Sequence, residues 1–275
     1  MSNLAQRALT GTIFVLAIVA AIIFKSWIFH LAFGLIGLLG LQEFYGLFKT
    51  SNYAPHSTLG IITALLIYTF GVMVLYLPES MAWLIGTSLL VFPLIAMAEL
   101  YRKKKTPFEN IGLTILGIVY VIVPLLLLNF CIEFSTVTFS ITNFWPVLSI
   151  FILVWCSDTF AYLVGRKLGK HKLFERISPK KSWEGFFGGM LFSVLAGILI
   201  AYLIEAPIYQ YIIYGLVISS LGTLGDLVES MLKRSLDIKD SGSILPGHGG
   251  ILDRFDAVLF VIPIVYFLNQ FVLIT

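Results

Sequence analysis

The stretch from Ser230 to Asp256, SMLKRSLDIKDSGSILPGHGGILDRFD, sets four acids, four bases, one histidine and four glycines between two strongly apolar segments. Only 12% of the 275 residues are charged, so these charges are concentrated. A charge beside lipid is costly, and a membrane chain that keeps one generally uses it. The residue types suit a polyanion: carboxylates for a hard metal ion, Lys and Arg for phosphates, and glycines that expose backbone N–H groups.

Two groups of acids stand out. In GTLGDLVESMLKR, Asp226 and Glu229 are i, i+3 and Lys233 is i+7, so all three share one helical face. A Glu229–Lys233 ion pair at the helix end explains Glu229 but leaves Asp226, which needs a cation or must become neutral. Gly222 and Gly225 leave room for a neighbouring helix or a ligand. In DSGSILPGHGGILDRFD, Gly247, Gly249 and Gly250 permit a tight loop. His248 serves there either as a ligand or acid, or as a loop histidine bonded to backbone. Asp253 and Asp256 are i, i+3 at the start of the last apolar segment, with Arg254 between them. A helix N-terminus favours acids in any case, so one of the two can be only a dipole partner. Two acids at the membrane level of Asp226 point to a metal cage of Asp226, Asp253 and Asp256. With no Cys or His cluster, a carboxylate set favours Mg²⁺ or Mn²⁺ over zinc, and a second cation stays open.

Upstream, WCSDTFAYLVGR puts Tyr162 at i+4 from Asp158. Asp158 is either a buried carboxylate bonded to Ser157 or Tyr162, or the polar wall of a cavity. The loop from Arg166 to Glu184 carries seven bases against two acids. Lys167, Lys170 and Lys172 fit contact with anionic headgroups. Lys180 and Lys181 follow the Ser178-Pro179 turn, and Ser182-Trp183-Glu184 resembles a helix start, a combination that attracts phosphate.

The elements that must position these groups are apolar. The chain is 59% hydrophobic, above the roughly 45–50% of soluble domains. Nine apolar segments, 8–24, 27–48, 57–77, 81–98, 110–130, 144–165, 186–204, 209–228 and 252–272, are each about long enough to cross ~30 Å of hydrocarbon as a helix. The expected fold is an all-α polytopic integral membrane protein of about nine transmembrane helices. With the N-terminus in the cytoplasm, alternation puts 17 of the 18 Lys and Arg on the inner side, all but Lys25. The first segment lacks a convincing cleavage site and is expected to be an uncleaved span. Residues 1–140 hold few ionisable groups and are expected to form a scaffold or dimerisation region; 141–275 are expected to form the catalytic region. No basic stripe with interleaved aromatics favours nucleic acid. Cys131 and Cys156 show no metal-ligand spacing and are expected to be packing residues. No inverted repeat, the mark of many transporters, is evident.

The sequence resembles the phosphatidate cytidylyltransferase, or CDP-diacylglycerol synthase, family. That family's signature is met by Ser230, Lys233, Arg234, Lys239, Asp240, Pro246, His248, Gly249, Gly250, Asp253, Arg254 and Asp256. DTFAYLVGR and SPKKSWEGFFGG also look like family features, and the resemblance covers roughly residues 150–275. It implies a multi-pass enzyme of the cell inner membrane. Such an enzyme makes CDP-diacylglycerol and pyrophosphate from CTP and phosphatidate with Mg²⁺. It implies that Asp226 and Asp253 lead the metal ligands, with Lys181 as the third catalytic group. It brings Lys233, Arg234, Lys239 and Arg254 near the phosphates, and Ser182, His248 and Asp158 are expected to line the substrate site. A homodimer through the N-terminal half fits the same expectation. The alternatives are a CTP-dependent membrane lipid kinase and a transporter of a phosphorylated solute.

Overall fold

In hydrocarbon every backbone N–H and C=O must be satisfied internally, so long apolar runs fold as helices. A computed structural model describes residues 3–24, 26–134, 144–242, 244 and 249–271. The helices are α1 (Asn3–Phe24), α2 (Ser26–Gly46), α3 (Ser57–Val74), α4 (Met81–Arg102), α5 (Pro107–Gly117), α6 (Val123–Phe134), α7 (Trp145–Leu168), α8 (Trp183–Leu203), α9 (Ile208–Ser235) and α10 (Leu252–Phe271). A π-helical turn, Ile118–Ile122, joins α5 and α6 into one rod, so the ten helices account for the nine expected segments.

Among the described residues, seven rods are long and apolar enough to cross a membrane. They are those built on α2, α3, α4, α5–α6, α7, α8 and α9. The apolar part of α1, Leu9–Phe24, is shorter. The α10 helix, with Asp253, Arg254 and Asp256 in its first turns, is not among the seven. The chain is a multi-pass helical membrane protein. One element departs from the all-α expectation: the basic loop after α7 folds as a short antiparallel hairpin of β1 (Lys172–Phe174) and β2 (Ser178–Ser182). Its few apolar residues, Leu173, Phe174 and Ile177, do not recur at helical spacing over a long run, and Pro179 interrupts the backbone hydrogen-bonding a helix would need.

The chain divides into two compact units. The first holds residues 1–134 together with Asp240–Arg254; the second holds 135–239 and 255–275. The division near residue 135 lies between α6 and α7, and the segment Asp240–Arg254 belongs to the first unit.

In the first unit, Phe29, Phe33, Leu41, Phe44, Ile122, Leu125 and Leu128 form a fully buried core. Its buried polar groups answer one another. The His30 ring lies 2.6 Å from both Asn129 Oδ1 and the Tyr76 hydroxyl. Asn129 Nδ2 donates to the Tyr68 hydroxyl and the Leu125 carbonyl, and Tyr68 donates to the His30 carbonyl. A second network joins buried Glu99 to Arg102 and to Asn110 Nδ2, at 2.8 and 2.7 Å. Arg102 and Asn110 together grip the backbone of Ala54. Beside them, partial burial and the nearby Arg102 hold the His56 imidazole below its ordinary pKa, which suits its part as acceptor from the Leu59 N–H at the start of α3.

In the second unit α7, α8, α9 and residues 255–271 of α10 pack around Phe151, Ile150, Leu153, Phe255, Val261 and Ile262. Of the two cysteines, Cys131 is a buried free thiol and Cys156 a half-buried one, as expected of packing residues.

Candidate active site

Close helix contacts bring the acids of the second unit together. A Cβ at Gly189 would stand 2.6 Å from the Ser157 carbonyl, so only glycine lets α8 run this near α7. A Cβ at Gly225 would stand 2.6 Å from Phe260 Cβ and 2.8 Å from the Asp256 carbonyl, so α9 and α10 meet at the turn that bears Asp226. The C-terminal end of β2 then delivers a lysine to the same place. Lys181 Nζ lies 2.6 Å from Asp226 Oδ2 and 3.5 Å from the Thr223 carbonyl. The other Asp226 oxygen accepts from the Ser230 hydroxyl at 3.2 Å. The Asp226 side chain stays 34% exposed, enough for a ligand to reach it.

Three further acids belong to this group. Asp158 lies within electrostatic reach of Lys181 and Asp226, and Asp256 within reach of Asp226, Glu229 and Asp158. Asp256 also accepts the Ala257 N–H at 2.7 Å. Glu229, 1% exposed, pairs with Lys233 at 2.7 Å, the ion pair anticipated at this helix end. Four carboxylates therefore share one neighbourhood with two ammonium groups, Lys181 and Lys233.

Several expected roles take a different form. Among the described residues neither Ser157 nor Tyr162 hydrogen-bonds Asp158, whose electrostatic neighbours are Lys181 and Asp226. The Ser182 hydroxyl is buried and accepts the Gly185 N–H at 3.2 Å, capping α8. Glu184 accepts the Lys170 and His171 N–H groups and pairs with the His171 ring at 2.6 Å. The start of α8 is thereby occupied by the protein's own groups. Lys180 points to solvent. The Lys233 ammonium is committed to Glu229, while exposed Arg234 donates to the Ile238 carbonyl in the turn after α9. Lys239 is exposed.

The remaining signature residues lie in the first unit. Asp253 accepts the Ser241 and Gly250 N–H groups, at 3.0 and 2.8 Å for its Oδ2. Gly249 has φ +81°, and a Cβ there would press on Asp253 Oδ2, so this position requires glycine twice over. Arg254 is exposed at the start of α10. Pro246, Gly247 and His248 fall outside the described residues. Sequence reading missed Glu43 of α2, which is 7% exposed and accepts the Leu252 N–H at 3.0 Å. The signal was there: Glu43 is the lone acid in the apolar segment 27–48.

The donor set tests the expected metal. Carboxylate oxygens in excess over lysines suit a hard divalent cation. Among the described residues no three His, Cys, Asp or Glu side chains gather closely enough to hold a metal by themselves. The cage of three carboxylates expected from the sequence is therefore not assembled among the described residues.

A profile of the cytidylyltransferase family matches residues 5–272. The chain belongs to the cytidylyltransferase family. A phosphatidate cytidylyltransferase from Bacillus subtilis (strain 168) is 34% identical over 279 aligned residues, covering 98% of each chain. Phosphatidate cytidylyltransferases from Staphylococcus epidermidis (strain ATCC 12228) and Staphylococcus aureus (strain COL) are 51% and 50% identical over 120 residues, 43% of this chain and 46% of theirs. The match to the family runs through the N-terminal helices as well as the acid-bearing half.

Proposed function

We propose that this chain transfers the cytidylyl group of CTP to phosphatidate, giving CDP-diacylglycerol and pyrophosphate. The observation that carries it is the acid cluster of the second unit, four carboxylates against Lys181 and Lys233 at the polar ends of apolar helices, in a chain similar over 98% of its length to a phosphatidate cytidylyltransferase. Phosphatidate lies in one leaflet with its headgroup turned toward the cluster, and CTP enters from water on the cytoplasmic side of the cell inner membrane. The positive-inside distribution supports that side. The N-terminal unit serves as scaffold and dimer surface.

A phosphate oxygen of phosphatidate forms a bond to the α-phosphorus of CTP. The bond from that phosphorus to the bridging oxygen breaks, and pyrophosphate leaves with the electron pair. The nucleophile is already ionised near neutral pH, so no side chain has to remove a proton. The obstacle is charge: two polyanions must approach. Asp226, with Asp256 near it, would hold Mg²⁺; for Asp253 a metal-ligand role is what the family resemblance implies. When bound, Mg²⁺ neutralises phosphate charge and fixes geometry. Lys181 holds Asp226 in place and offers its ammonium to phosphate oxygens. Exposed Arg234, Lys239 and Arg254 raise the local concentration of the nucleotide.

The test uses purified protein in detergent with phosphatidate, Mg²⁺ and CTP labelled either in the cytidine or at the γ-phosphate. The proposal expects cytidine label in the lipid and γ-label in pyrophosphate. γ-Label in the lipid with CDP released identifies a lipid kinase and contradicts it. Absence of label in any lipid acceptor contradicts both.

A further inference from the structure

The only acid of α2 does something no scaffold helix requires. Glu43 sits in the apolar segment, nine-tenths buried, where a carboxylate is expensive. It accepts the Leu252 N–H, one of the orphan donors at the first turn of α10. A Cβ on Gly250 would collide with Glu43 and with the Ser241 hydroxyl, and a Cβ on Gly242 would stand 2.5 Å from Glu43 Oε1. The backbone at both ends of the glycine-rich loop is therefore moulded around this one carboxylate. Asp253 ties the same two ends from inside, through Ser241 and Gly250.

We infer that Glu43 is a positioning residue for the transfer reaction: it fixes Ser241–Gly242 and Gly249–Leu252, and with them the orientation of Asp253. It touches no substrate. A hydrophobic residue at 43 would pack in the membrane at less cost, so the acid is kept for the loop. The inference rests on the proposed nucleotidyl transfer, because it assigns the loop a part in that reaction.

The test compares wild type with Glu43→Gln and Glu43→Ala in the full chain, in detergent, by three readouts. They are amide hydrogen exchange of the peptide covering 241–253, the Mg²⁺ concentration for half-maximal cytidylyl transfer, and thermal unfolding. Glu43→Gln keeps a carbonyl acceptor for Leu252 and tests charge; Glu43→Ala removes the acceptor. The expected result for Glu43→Ala is faster exchange confined to 241–253. Turnover or Mg²⁺ affinity falls by about 10–100-fold, the range seen when groups that orient metal ligands are removed, and Glu43→Gln lies between. Unchanged exchange and unchanged Mg²⁺ dependence in Glu43→Ala would overturn the inference, as would exchange rising across the whole chain with no local maximum. If Glu43→Ala does not fold, Glu43→Gln decides by the same two readouts. A wild type that incorporates no cytidine into lipid defeats the functional reading itself, while the exchange result still reports whether Glu43 fixes the loop.

Discussion

The polar groups of the N-terminal helices, Glu43 apart, and the acids of the second unit are arranged in different ways. In the N-terminal helices polar groups close on each other: His30 with Asn129 and Tyr76, and Glu99 with Arg102 and Asn110. In the second unit Asp158, Asp226, Glu229 and Asp256 share one neighbourhood, with Lys181 paired to Asp226 and Lys233 to Glu229. A closed network rigidifies and asks for nothing more. In the function proposed above, an acid cluster with few cations is completed by a divalent metal and the phosphates it carries. Polarity inside a membrane protein thus does not by itself mark a site; unbalanced charge does.

Substitutions can break or sharpen that contrast. The largest effect is expected from Asp226→Asn, which removes the carboxylate shared by Lys181 and Ser230. Cytidylyl transfer should fall by at least about 100-fold, comparable to loss of a key charge-stabilising group. The purified variant should still show a wild-type unfolding profile. Lys181→Gln should lower turnover by about 10–100-fold, measured at saturating CTP, because Asp226 loses the cation that holds it. Lys233→Met should strand buried Glu229 and destabilise the protein by about 3–5 kcal/mol. Thermal unfolding in detergent reads that loss. Asn129→Ala, in the closed network, should cost about 1–3 kcal/mol of stability and leave turnover per folded molecule unchanged. An Asn129 variant that folded fully but lost turnover would erase the distinction between the units.

Much of this was legible in the sequence. The helices follow from apolar runs that lipid leaves no other choice, and the i, i+4 pairing of Glu229 with Lys233 follows from helical spacing alone. What could not be read were contacts made across long sequence separation. Nothing local says that Lys181 leaves the β2 strand for Asp226, 45 positions on, or that Glu43 meets Leu252, 209 positions away. The β1–β2 hairpin was hidden because its pattern is too short and too polar for a periodic signal. Ser182 resembled a helix start, and it is one, its hydroxyl accepting the Gly185 N–H.

The most direct measurement is cytidine-labelled CTP with phosphatidate and purified protein, with Mg²⁺ supplied and then withdrawn by a chelator. The account predicts label in the lipid with one pyrophosphate released per lipid formed, rising with Mg²⁺ and lost when the metal is removed. Label that stays in soluble nucleotide, or that enters the lipid equally well without a divalent cation, would contradict it.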